Sequence, residues 1–91
     1  MLIKTFKLFG RTWTISYPHK VDKEDSCGEC YYVKAKIKIK RSLPPEEKDI
    51  TLRHEQTHAM LEAIGREDLS NDEHFVDQFS RALHQVLTTE E

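Results

Sequence analysis

His54-Glu55-Gln56-Thr57-His58 places two imidazoles and a carboxylate within five residues, an H-E-x-x-H. On a helix, side chains four apart share one face, with Cβ atoms roughly 5–6 Å apart. Two imidazoles so placed can converge on one Zn²⁺ at about 2.0–2.1 Å. Glu55 lies three residues before His58, at the rim of the same face. It is near enough to touch a water activated by the metal and is not itself aimed at the metal. Zinc lowers the pKa of such a water towards 7, and a neighbouring carboxylate can take the proton. The plain alternative is a helix with two surface histidines and a solvated glutamate.

A catalytic zinc needs a third protein ligand and one open position. Glu73 and His74 are the candidates, and Asp77 follows Glu73 by one helical turn. A ligating carboxylate with a second carboxylate one turn on can also supply an acceptor for an imidazole N–H. Acidic residues four apart are common on solvated helix faces, and Glu73 also suits a helix N-terminus. His74 is the competing ligand, about 100° round the helix from Glu73. His84, eleven residues after Glu73, lies about 16 Å along a helix axis and reads as a surface histidine. His19 lies in a loop without an assignable partner.

The elements that must hold these residues follow from periodicity. Residues 2–9 alternate, Gly10-Arg11 interrupts them, and Thr12 to Tyr17 is aromatic and β-branched, which predicts a hairpin ended by Pro18. Residues 19–30 read as a polar loop. Tyr31 to Lys40 alternates Val33, Ala35, Ile37 and Ile39 against four lysines, which predicts one strand with a wet face at a sheet edge. After Pro44-Pro45 the period becomes helical. Glu46 and Glu47 suit the first turn, and Gly65 is a natural stop. A polar link, Arg66 to Asn71, then leads to a second helix running to about Leu87, with Ser70, Asn71 or Asp72 as its cap. The expected fold is α+β: about three antiparallel strands packed on the H-E-x-x-H helix, with a C-terminal helix crossing beneath. Trp13, Ile15, Val33, Ile37, Leu61, Phe75 and Phe79 are the expected core.

Ninety-one residues bound this to a single domain, 1–91, and exclude multi-domain enzymes, dinucleotide-binding units and repeats. The net charge of −2 hides a division: residues 1–41 hold ten Lys/Arg against four Asp/Glu, and residues 42–91 hold four against twelve. No apolar run reaches the roughly 18 residues of a membrane span, and no secretory h-region is visible, which predicts a cytoplasmic protein. Basic residues on a flat strand, with only Tyr31 and Tyr32 as nearby aromatics, argue against nucleic acid as the partner.

H-E-Q-T-H on one helix and Glu73-His-Phe-Val-Asp77 on the next resemble the thermolysin-type gluzincin pattern. The whole layout also resembles the very small H-E-x-x-H metallopeptidase-like proteins of bacteriophages and prophages. It comprises the hairpin with G-R-T-W, the strand before L-P, H-E-Q-T-H-A-M-L-E-A-I-G, N-D-E-H-F-V-D-Q-F and L-H-Q-V-L. That resemblance implies a minimal zincin-like domain in the host cytoplasm, a zinc-dependent endopeptidase with one ion per chain. By it, His54, His58 and Glu73 bind the zinc, Glu55 is the general base, and Asp77 orients His54. Two features depart from the pattern. Only fourteen residues separate His58 from Glu73, and no separate Tyr or His for an oxyanion is matched.

Under this reading the partner is a peptide or protein substrate paired to the edge strand 31–40, where the lysines favour acidic peptides. The rival reading is a binding module, for protein or nucleic acid, in which the zinc is only a staple for a small domain. Cys27-Gly28-Glu29-Cys30 has three readings: two free thiols in a loop, a redox or disulfide pair, or half of a second metal site.

Overall fold

The computed structural model describes residues 2–91. Its strands are β1 (Thr5–Leu8), β2 (Arg11–Ser16), β3 (Gly28–Tyr31) and β4 (Lys36–Ile39). The helices are α1 (Pro45–Ala63), α2 (Glu67–Ser70) and α3 (Glu73–Thr89). The α+β class is as expected, and the sheet is larger: four strands in the order β1-β2-β4-β3. It is also mixed, because β2 and β4 run parallel while β1–β2 and β3–β4 are antiparallel.

β1 and β2 are joined by a two-residue turn, Phe9-Gly10, with φ of 50° and 79°. Both central residues being left-handed defines the type I′ turn that matches strand twist. Gly10 adopts it freely, and Phe9 does so against its preference.

The alternating run 31–40 is not one strand. Tyr31 ends β3, residues 32–35 turn, and Lys36 starts β4, with Ala35 N donating to Tyr32 O at 3.1 Å. A four-residue turn preserves the even-odd phase, so alternation alone cannot reveal it. Ala35, Ile37 and Ile39 keep their inward side, whereas Val33 sits at the turn, 87% exposed. β4 lies between β2 and β3, so the edges are β1 and β3. The expectation that 31–40 forms an edge is therefore corrected to β3 alone.

The helices cover one face of the sheet. Trp13, Ile15, Ile37 and Ile39 pack there with Leu52 and Ala59 of α1. The other face carries Thr5, Lys7, Thr12, Thr14, Ser16 and Lys36, all exposed. Leu61 is buried as expected; Phe75 is only half-buried, and Phe79 is exposed, because Val76 and Ser80 turn inward on α3 instead.

α1 opens with proline in its first turn beside Glu46 and Glu47, and ends at Ile64 before Gly65 at φ 77°. The link 66–71 contains the four-residue α2, and Asp72 caps α3 by accepting from Phe75 N at 3.1 Å.

Candidate metal centre

α1 and α3 lie side by side, and β3 lies across α1. β3 sits close because position 28 is glycine: a Cβ there would stand 2.7 Å from Thr51 Cγ2 and 3.1 Å from Lys38 O. The face of α1 bearing His54 and His58 is thus walled by β3 on one side and by the start of α3 on the other. Gln56 and Thr57, also inside the motif, serve the helix itself. Gln56 accepts from Arg53 at 2.8 Å, and Thr57 donates to Arg53 O at 2.7 Å.

The structure brings three expected ligands together. His54 Nε2 is 3.4 Å from Glu73 Oε2, and His58 Nε2 is 3.4 Å from Glu73 Oε1. One ligating atom from each residue lies within 4.8 Å of the other two. These separations exceed the roughly 2.7–3.2 Å of an N–H···O hydrogen bond. Two ligands of a tetrahedral zinc, each about 2.0–2.1 Å from the ion, stand roughly 3.3–3.4 Å apart. The two-nitrogen, one-carboxylate donor set fits zinc, and each imidazole stands at that ligand spacing from one oxygen of Glu73.

Glu55 is buried, 8% exposed, beside this cluster. Burial pushes its carboxyl up to about 7, and the negative charges of Glu73 and Glu29 add to the effect. Burial also lowers the His58 pKa, an effect that Glu73 opposes and the His54 ring reinforces.

No protein-family model, curated protein or solved structure matches the chain.

Asp77 lines a cleft together with His54 and Glu55. Its carboxylate takes Arg81 Nε at 3.1 and 3.2 Å, one turn along its own helix. Ser70 Oγ lies 2.9 Å from His58 Nδ1. In sequence Ser70 was legible only as a possible helix cap, a role that Asp72 takes. His74 is exposed and outside the cluster. His84 is not a surface histidine: 15% exposed, its Nδ1 faces Asp49 Oδ2 of α1 at 3.0 Å without forming a hydrogen bond. His19 Nε2 meets Arg41 Nη1 at 3.2 Å.

A cleft of about 500 Å³ opens over the cluster, walled by Glu29, Cys30 and Tyr31 of β3. Glu29 stitches the preceding loop to β3: it accepts from Asp22 N at 2.8 Å and from Lys23 N at 2.7 Å. Tyr31 OH donates to Asp22 and stands 3.0 Å from Glu29.

Cys27 is exposed, and Cys30 is half-buried in the wall of the cleft; both are free. Cys27 O accepts from Lys40 N, which continues the extended ladder beyond β3. Three extended residues cover roughly 10 Å, more than the roughly 7 Å a disulfide bridges. Among the described residues neither thiol joins a metal-ligand group.

Proposed function

We propose that this chain is a zinc-dependent peptidase, with His54, His58 and Glu73 as ligands and Glu55 as general base. The observation that carries the reading is the meeting of one atom from each of His54, His58 and Glu73 within 4.8 Å, beside a buried glutamate. The likeness of the motif to gluzincins supports it. A zinc ion supplies a Lewis acid that polarises a carbonyl and makes water nucleophilic near neutral pH.

The chain's own residues do the rest. Glu55 removes a proton from the attacking water and returns it to the leaving nitrogen. Its place in the wall of the cleft, away from bulk water, holds that proton between the two steps. β3 is a sheet edge beside His54 and His58; apart from Gly28 O, which accepts from Ser26 Oγ at 2.5 Å, its outer backbone is suited to align an extended peptide by strand addition. β4 is internal; its Lys36 is exposed on the sheet face opposite α1, and its Lys38 pairs with Asp22 at 3.2 Å beside Tyr31 of the cleft wall.

The rival reading, zinc as a structural staple in a binding module, requires a closed fourth position. The Glu73 side chain is 70% exposed, which favours an open site over a closed one. Among the described residues no helix is long and apolar enough to cross a membrane.

The test compares wild type with Glu55→Gln. Both should bind one zinc, and only wild type should hydrolyse casein or a peptide library. Equal turnover would remove Glu55 from the chemistry. A cobalt spectrum without an exchangeable water would remove the peptidase reading altogether.

A further inference from the structure

We propose that Glu62 makes a side pocket of the metal cleft into a binding site for a lysine or arginine side chain of the bound peptide. The inference deepens the peptidase reading and takes from it that the occupant of the cleft is a peptide.

A pocket of about 290 Å³ opens beside the end of β3. Cys30, Glu55, His58 and Glu73 line both it and the cleft over the metal ligands, so the two spaces adjoin. It lies at the small end of the roughly 300–1,000 Å³ of ligand pockets, a space for one long side chain rather than for a whole peptide. A peptide added to β3 as a further strand turns alternate side chains towards the helices. One of these enters the pocket.

Glu62 supplies the charge that selects it. It follows His58 by one turn of α1 and so extends the face that carries His54 and His58. It is half-buried and lines the pocket. The arginine four residues on, Arg66, is engaged elsewhere: its Nε and Nη2 donate to the two carboxylate oxygens of Asp68 at 3.0 and 2.9 Å. Among the described residues no Lys, Arg or His forms an ion pair with Glu62. Two neighbouring clefts that also border Glu55 have a cation on their walls, Lys23 in one and Arg81 in the other. The pocket of Glu62 has neither Lys nor Arg. An unpaired, half-buried carboxylate so placed attracts an incoming cation and repels an incoming carboxylate. Cys30 and Tyr32, both half-buried, give the methylene stem of a lysine or arginine an apolar wall and leave its head to Glu62. The preference is opposite to the one for acidic peptides that the lysines of residues 34–40 suggest from sequence.

The test uses the full chain carrying Glu55→Gln, loaded with zinc, so that binding is read without turnover. Fluorescent peptides capped at both ends are titrated in, identical except for Lys, Arg, norleucine or Glu at one position moved along the sequence. At one position Lys and Arg should bind at least about tenfold more tightly than norleucine, the lower end for close charge pairs at an interface, and Glu more weakly. Adding Glu62→Gln should erase the gain of Lys over norleucine and leave the norleucine peptide unchanged. Glu62→Lys should favour the Glu peptide. Indifference to charge at every position overturns the proposal, whether or not any Glu62 variant folds. So does a lysine preference that survives Glu62→Gln. A gain seen only when the peptide amino terminus is left free assigns the pocket to that amine and also overturns it. Glu62-dependent binding of capped lysine peptides, with no hydrolysis by wild type, would sink the peptidase reading and leave the pocket standing. Hydrolysis without charge preference would do the reverse.

Discussion

Gly28 of β3 and Thr51 of α1 touch so closely that a single added carbon does not fit between them: a Cβ at position 28 would lie 2.7 Å from Thr51 Cγ2. This contact sets the distance from the edge strand to the helix that carries the histidines. Gly28→Ala should destabilise the protein by about 1–3 kcal/mol, the usual cost of overpacking. Thr51→Ser, which removes the offending methyl, should recover part of that loss in the double variant. Denaturant unfolding of the four proteins checks it; additive losses would show that the clash is relieved elsewhere.

Glu73 and Asp77 are one turn apart on α3 and should behave differently. Glu73→Ala removes an oxygen donor and should weaken zinc binding by more than the roughly 10–100-fold typical of residues behind the ligands. Asp77→Asn should leave zinc affinity unchanged, since Asp77 is engaged by Arg81. It should cost only about 0.3–0.5 kcal/mol of helix stability, the worth of an exposed pair four residues apart. Equilibrium dialysis with zinc separates the two, and equal losses would restore Asp77 to the site.

The two cysteines should differ in reactivity. Burial raises the Cys30 pKa to about 12, with Glu55 and Glu62 adding to the effect, whereas Cys27 is exposed. At pH 8, iodoacetamide should modify Cys27 promptly and Cys30 only after unfolding. Because the folded-state pKa lies above the ordinary thiol value of about 8.5, the folded chain holds this proton more tightly than the unfolded one. The stability it contributes is complete below that ordinary value and is lost as pH rises towards about 12. Cys30→Ala should flatten this alkaline decline. Alkylation mapped by mass spectrometry and melts across alkaline pH are the measurements.

Phe9 holds φ 50° at the hairpin tip while 78% exposed. Asparagine tolerates that conformation far better than a bulky aromatic. Phe9→Asn should stabilise the folded chain by about 1 kcal/mol, the scale of left-handed strain for an ordinary residue. A melting temperature that falls instead would show that packing of the ring near Leu8 and Phe79 outweighs the strain.

Much of this protein was legible in its residues because it depends on near neighbours. The Pro44-Pro45 start and Gly65 stop of α1, the Asp72 cap, the first hairpin and the placing of His54 and His58 on one helix face are local matters. They are decided within a turn or two of chain by backbone preference and side-chain period. Glu73 as the partner of the two histidines was also readable, since few other donors were available at the start of the next helix. Only tertiary packing decided the rest. The break of 31–40 into β3, a turn and β4 leaves the alternation of residues intact, so periodicity has no power to detect it. Which strand forms an edge depends on the parallel pairing of β2 with β4, a long-range choice. The Asp77–Arg81 pair, four residues apart on α3, is local. The approach of His84 to Asp49 and of His58 to Ser70 depends on how the helices rotate about their axes. A rotation of a few tens of degrees exchanges one partner for another, and it is set by the whole core rather than by the spacing of any motif.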